Sequence, residues 1–268
     1  MIIKLEIMNK IWFKLVRLPI PWSIRHYLSK IISSLMLFRS GVKSSEMNID
    51  SSKMKDLINN GYLIIENFLN EKQIQEILDS IDEFKLFDPW DDSIQHFLPN
   101  SANEKTHVGY YKKDDLNKLT IIKELSESNK ISGYLSKYLG EKFKCVNISM
   151  WWTFGGKKYA QEAENFHRDL DNIFWLKAFV YLTDVDINSG PHAYIPKSHK
   201  VNKSLTFKRF NDSETKELFG DPVFHTGKRG TLILEDTFGL HKGQHIKNDQ
   251  KRLLLQFQYA VLNNPIIN

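Results

Sequence analysis

From residue 143 to about 262 the chain breaks into short runs rich in Val, Ile, Phe, Tyr and Trp, and this half limits what the whole can fold into. Phe143 to Phe154, Trp175 to Val185, His192 to Ile195, Val223 to His225, Thr231 to Leu234 and Leu253 to Val261 read as strands. Gly155-Gly156, Asn188-Ser189-Gly190-Pro191 and Gly227-Lys228-Arg229-Gly230 punctuate them with turn chemistry. The residues before this half read as helices. Met54 to Asn60 is a short helix stopped by Gly61, with a strand over Tyr62 to Ile65 behind it. Asn70 stands in a capping-box relation to Gln73, ahead of a helix whose apolar face is Ile74, Ile77, Leu78 and Ile81. Leu116 to Leu125 and Ile131 to Leu139 read as two more helices, the second stopped by Gly140. Helices followed by many short strands predict an α+β protein with a sandwich or barrel core. The expected organisation is an arm over residues 1–45 and one domain over 46–268.

The arm is apolar and basic. Ile2, Ile7, Ile11, Leu15 and Leu18 alternate with Lys4, Lys10, Lys14 and Arg17, too many charges for a membrane span, which wants about twenty nearly uncharged residues. No apolar run ends in a small-residue cleavage site. The spacing predicts an amphipathic helix, a break at Pro19 and Pro21, and a second helix through Leu28, Ile31, Ile32 and Leu35. Packing on the body or on a second copy is the plain role for residues 1–40. Peripheral contact with an anionic membrane, Trp12 and Phe13 at the headgroups, is the sharper one. Residues 41–52 are polar and read as a linker.

A 41% hydrophobic and 12% aromatic content over 268 residues supports a sizeable core. Cys145, the one cysteine, has no internal partner and reads as a small core residue. The expected compartment is the cytoplasm, with a peripheral place at the inner face of a membrane if the arm binds one. The net charge of +5 is modest, and no basic cluster interleaved with aromatics suggests a nucleic-acid partner.

The chemistry is carried by Phe166-His167-Arg168-Asp169. His167 and Asp169 are two apart, so an extended backbone sends both side chains to one face. An imidazole and a carboxylate can then reach one metal ion from one side. A second imidazole, from His241 or from His245 four residues on, completes two histidines and a carboxylate. That facial triad is the arrangement of non-haem Fe(II) oxygenases. Arg252 opens the last strand eleven residues after His241, and a planar guanidinium is suited to a buried carboxylate. Arg168 points the other way, to the mouth of a site or to water. The loop-rich passage from Asp88 to about residue 114 holds His107 and Lys112, read as solvated loop residues, with reach to the co-substrate or substrate as the alternative. His192, His199 and His225 lie on or beside strands.

The chain resembles the phytanoyl-CoA dioxygenase (PhyH-like) family of Fe(II)/2-oxoglutarate-dependent oxygenases. The match runs from about residue 53 to 262 and leaves out the arm. It is carried by Gly61-Tyr62-Leu63-Ile64-Ile65, by His167 and Asp169, by Tyr181-Leu182-Thr183-Asp184-Val185 through Gly190-Pro191, and by Ile195-Pro196-Lys197-Ser198-His199-Lys200. His241-Lys242-Gly243 and Arg252 complete it. Lys197 stands where the family's P-G-S-H-K has glycine, and His245 where asparagine is common. With His241 as ligand, Gly243 and Arg252 fall in register.

The resemblance implies a double-stranded β-helix (jelly-roll) core, iron held by His167, Asp169 and His241, and 2-oxoglutarate held by Arg252. It also implies Phe179 beside the co-substrate, with Met150 and Trp152 as wall residues. Its cofactors would be Fe(II), 2-oxoglutarate and O2, with ascorbate as a reductant. The reaction would be hydroxylation of an unactivated C–H bond in a small organic substrate, whether lipid-linked, a sugar or a natural product, releasing succinate and CO2. Related halogenases lose the carboxylate that Asp169 keeps; desaturation and ring closure use the same chemistry and stay open. The competing readings are a silent jelly-roll metabolite-binding or assembly protein and a cupin-like Zn or Mn enzyme, neither of which explains Arg252.

Overall fold

The computed structural model describes residue 14 and residues 18–35, 49–94, 96–201 and 208–261. The helical half is α1 (Trp22–Leu35), α2 (Ser51–Asn60), α3 (Glu71–Ile81), α4 (Lys113–Leu116), α5 (Thr120–Ser126) and α6 (Asn129–Leu139), with α7 (Asp212–Phe219) inserted later. The strands are β1 (Tyr62–Ile65), β2 (Leu86–Phe87), β3 (Val108–Tyr111), β4 (Lys144–Phe154), β5 (Trp175–Tyr181), β6 (His192–Tyr194), β7 (Val223–His225), β8 (Leu232–Glu235), β9 (His241–Gly243) and β10 (Lys251–Ala260). One predicted helix over 116–125 is two, because the turn at 117–119 separates α4 from α5. In the passage expected to be loop lies β3, paired antiparallel with β2 just ahead of that passage.

The strands close into a jelly roll of two antiparallel sheets, ordered β1-β8-β5-β10-β4-β3-β2 and β7-β6-β9. β10 is the spine of the larger sheet, paired with β4 on one side and β5 on the other. Alternation divides its faces. Leu253, Leu255 and Phe257 of β10, Leu176, Ala178 and Val180 of β5, and Leu232 and Leu234 of β8 join Ile74, Ile77, Ile122 and Leu135 of the helices in the main core. Arg252, Leu254 and Gln256 of β10 and Lys177 and Phe179 of β5 face the other way, into the space between the sheets.

Local chemistry sets the element ends. Asn70 accepts from Gln73 N while the Gln73 side chain accepts from Asn70 N, the reciprocal pair predicted for α3. Gly61 closes α2 with φ of 95°, a left-handed conformation that glycine takes without strain, and its missing Cβ leaves room for the Tyr194 hydroxyl. Lys197 adopts φ of 68° in the turn before Ser198, a left-handed conformation that a glycine takes without strain. That turn docks on the end of α2. Lys197 N donates to Asn60 O, and His199 Nε2 to Ile58 O, which makes the buried His199 a structural residue. On β4, Cys145 is half-buried, and burial pushes its thiol up to about 12.

Candidate metal centre and its cavity

The triad is positioned by backbone pairing. His167 and His241 form an isolated antiparallel bridge, each N–H donating to the other's carbonyl at 3.0 Å, and Asp169 N donates to Thr237 O at 2.9 Å. The segment around His167 therefore lies as an extra strand along β9. Its parity puts His167, Asp169 and His241 on one side.

One nitrogen of each ring is committed to structure. His167 Nδ1 donates to Asn165 O at 2.9 Å and His241 Nδ1 to Gly239 O at 3.0 Å, which leaves both Nε2 atoms as lone-pair donors. His167 Nε2 lies 3.7 Å from Asp169 Oδ1, and His241 Nε2 lies 3.4 Å from Asp169 Oδ2. These atoms all fall within 4.8 Å of one another. Two nitrogens and an oxygen at that spacing suit a divalent ion about 2.0–2.2 Å from each. They fit an iron ion, which these three residues would hold beside the cavity.

Asp169 is also gripped from behind. Lys177 Nζ stands 2.7 Å from Asp169 Oδ2 and 2.9 Å from Asp171 Oδ2. Burial opposes the Asp169 charge, but the Lys177 ammonium and His241 outweigh it and hold the carboxyl well below its usual range. Burial and then the His241 charge push His167 down to about 3, so it is a neutral donor at physiological pH. Sequence reading missed Lys177, because nothing in Trp175-Leu176-Lys177-Ala178 marks a lysine as inward-facing. Behind His241, Glu235 and His192 form a fully buried pair 3.0 Å apart.

The cavity beside the triad encloses about 210 Å³, and Arg252, Phe179, Leu254, Trp151 and Thr153 line it. Arg252 is buried; it donates from Nη1 to Gly190 O and from Nη2 to Thr153 Oγ1 at 3.3 Å. Its Nε has no hydrogen-bond partner among the described residues, and burial works against its charge. A buried cation with a spare donor is what a dicarboxylate's free end requires. Gly243 makes the room: a Cβ there would sit 3.0 Å from Arg252 Nη2.

Several expected site residues lie elsewhere. Met150 and Trp152 belong to the main core on the far face of β4, and the alternate residues Trp151 and Thr153 line the cavity. Arg168 reaches neither mouth nor water. It is buried and donates from Nη1 to Ser198 O and Phe238 O. His107 is not a solvated loop residue, since it lines the cavity and its Nδ1 donates to Glu164 Oε2 at 3.0 Å; Lys112 is exposed. His245 turns away from the triad. It spans Glu164 Oε1, 2.9 Å from Nδ1, and Lys157 O, 2.9 Å from Nε2. His107, Glu164 and His245 thus form a second cluster of ligand-type atoms. Each imidazole there takes its own carboxylate oxygen at hydrogen-bond distance, which is the geometry of a proton-filled clamp.

The sequence profile of the phytanoyl-CoA dioxygenase (PhyH) family matches residues 58–254. No curated protein matches the chain. Among solved structures, EctD from S. alaskensis with bound Fe is 18% identical and aligns over 84% of this chain and 83% of that one, with a TM-score of 0.60. HygX from Streptomyces hygroscopicus, with nickel, 2-oxoglutarate and hygromycin B bound, is 13% identical over 79% of this chain and 87% of that one, with a TM-score of 0.57. The epimerase SnoN, in complex with Fe3+, alpha ketoglutarate and nogalamycin RO, is 15% identical over 78% and 82%, with a TM-score of 0.58. At these identities the likeness shows the fold.

Proposed function

The chain belongs to the phytanoyl-CoA dioxygenase family, and we propose that this Fe(II)/2-oxoglutarate-dependent oxygenase hydroxylates an unactivated C–H bond of a small organic molecule. The observation that carries the reading is the convergence of His167 Nε2, Asp169 Oδ and His241 Nε2 beside a cavity that also holds Arg252 with an unpaired Nε. His167, Asp169 and His241 would hold the iron, and Arg252 the far carboxylate of 2-oxoglutarate. Bound iron with 2-oxoglutarate and O2 supplies the oxidising power, with succinate and CO2 as the co-products.

The chain's own work is positioning and exclusion of water. Asn165 O and Gly239 O fix the tautomer and tilt of the two imidazoles. Lys177 neutralises and orients Asp169, so the carboxylate is ionised before any metal arrives. Phe179 and Leu254 give the cavity apolar wall, while Tyr110 stacks on Trp151 with ring centroids 5.2 Å apart. Such aromatic walls hold an organic substrate by area and leave its orientation to Gln161, Glu164 and Gln256, which also line the cavity. A retained carboxylate at 169 supports hydroxylation over halogenation, since it fills the metal position that a halide needs.

The test is turnover under isotope-labelled O2 with a panel of small lipids, sugars and natural products, scored by succinate release. A product that gains one labelled oxygen atom supports hydroxylation. Succinate release coupled to a product that loses hydrogen without gaining oxygen contradicts it.

A further inference from the structure

Helix α1 is amphipathic in the opposite sense from the one that packing on the body calls for. Its buried stripe is Arg25, Ser29 and Ser33, spaced four apart on one face. All three are tied to the body. Arg25 Nε donates to Ile173 O at 2.7 Å, and its guanidinium lies 3.7 Å from the Phe238 ring centroid. Ser29 Oγ donates to Leu139 O at 2.7 Å, and Ser33 Oγ accepts from Lys142 N at 2.7 Å. Trp22 and His26, stacked on each other and angled against Tyr138, complete this inner face with Ile32, and Trp22 and Ile32 touch the main core.

The outer stripe is apolar. Ile24 is 50% exposed, Tyr27 66%, Leu28 36% and Leu35 73%, and at helical spacing these fall on one side with the half-buried Ile31. Leu18, just ahead of the helix, is 46% exposed. A polar inner face held by hydrogen bonds fixes the helix in place and leaves its apolar face turned outward. Scattered exposed leucines are ordinary, but a continuous stripe on one helix is a contact surface.

Charge identifies what covers it. Residues 1–43 hold eight Lys and Arg against one acidic residue, Glu6, a balance of +7, while the whole chain carries +5. The chain's positive excess therefore resides entirely in this arm. Exposed Lys30 lies on α1 itself. Exposed Lys137, Lys197 and Lys200 lie on or next to the elements packed against α1, Lys200 Nζ standing 5.0 Å from the Trp22 ring centroid. A second copy would bring two such basic faces together, which repel. An anionic surface would neutralise them. No helix among the described residues is long and apolar enough to cross a membrane. We propose that the outer face of α1, with Lys30, Lys137, Lys197 and Lys200 around it, is a docking surface for anionic phospholipid, on which the protein lies without spanning the bilayer.

The test is sedimentation of the full chain with vesicles of phosphatidylcholine alone and with added phosphatidylglycerol, beside light scattering of the free protein. The expected result is retention on phosphatidylglycerol vesicles only, weakened by salt. The triple variant Ile24→Ser, Tyr27→Ser, Leu28→Ser should bind at least about tenfold more weakly, because three apolar side chains are withdrawn from lipid. It should keep the parent melting temperature, since those side chains leave the body untouched. Lys30→Glu with Lys137→Glu should weaken binding by about fivefold or more for each reversed charge. Absence of binding, or binding to phosphatidylglycerol vesicles that the triple variant retains in full, overturns the proposal. So does a dimer in light scattering that the triple variant splits, which would make a second copy the occupant.

Discussion

Single side chains set the electrostatics of the site. Lys177 stands between Asp169 and Asp171, all three largely buried. Removing one partner of a buried ion pair leaves an uncompensated charge and costs about 3–5 kcal/mol. Lys177→Met should therefore lower the melting temperature of the metal-free protein by about 10 °C, since about 2–4 °C accompanies each kcal/mol at this size. An unchanged melting curve would mean that the Lys177 grip on Asp169 is dispensable. Glu235 gives a pH signature. Burial, aided by the Asp169 and Asp236 charges, pushes its carboxyl up to about 8 from 4.5 against the pull of His241 and Lys177. A folded-state value above the unfolded one gives stability that is full below pH 4.5 and lost as pH rises through about 8. His192 beside it is held well below 6.5, mainly by burial, so above pH 6.5 it is neutral in both states and adds no slope. The metal-free protein should lose stability between pH 6.5 and 8. His241, also raised above 6.5 against burial by the Asp169 charge, adds to the loss, and Glu235→Gln should reduce it in a melting series. At Lys197, φ of 68° strains any residue with a Cβ. Lys197→Gly should stabilise by up to about 1 kcal/mol in denaturant unfolding, and a loss of stability would refute the strain.

Strand parity decides which side chains meet the substrate and which meet the core. On β4, Met150 and Trp152 pack with the helices, while Trp151 and Thr153 line the cavity. Met150→Ala should cost about 2–5 kcal/mol of stability in denaturant unfolding and leave 2-oxoglutarate affinity unchanged. Trp151→Ala should alter the cavity instead, with the larger effect on substrate affinity. Parity explains why the sequence was readable in some places and opaque in others. His167-Arg168-Asp169 carries a polar signal on both ligands, and Arg252 lies only eleven residues beyond His241, where the chain passes directly from β9 to β10. In Ser149-Met150-Trp151-Trp152-Thr153 the two adjacent tryptophans fall on opposite faces, so the large aromatics do not say which face lines the cavity. The His107–Glu164–His245 clamp joins residues up to 138 apart in number, and no local pattern announces it. In α1, periodicity locates the helix correctly but not its orientation, because the hydrogen bonds that Arg25 and Ser29 donate and Ser33 accepts turn this polar stripe to the body.

At the scale of the molecule, the helices cover one face of the larger sheet and leave the space between the sheets for charged groups. The closed jelly roll pairs its strands and gives the metal ligands a rigid seat on β9 and the segment bridged to it. The candidate metal centre and the surface proposed for anionic lipid lie on separate parts of one chain, the cavity within the sheets and α1 outside them.

The central claim is that the triad and Arg252 together hold iron and 2-oxoglutarate. The direct measurement is the visible charge-transfer absorption of the anaerobic protein with Fe(II) and 2-oxoglutarate, recorded for the parent chain, Arg252→Ala, His241→Ala and His245→Ala. The account predicts a band in the parent that is abolished in His241→Ala, formed only at higher 2-oxoglutarate in Arg252→Ala, and kept in His245→Ala. A folded parent chain without a band, or one whose band survives His241→Ala and is lost in His245→Ala, would contradict it.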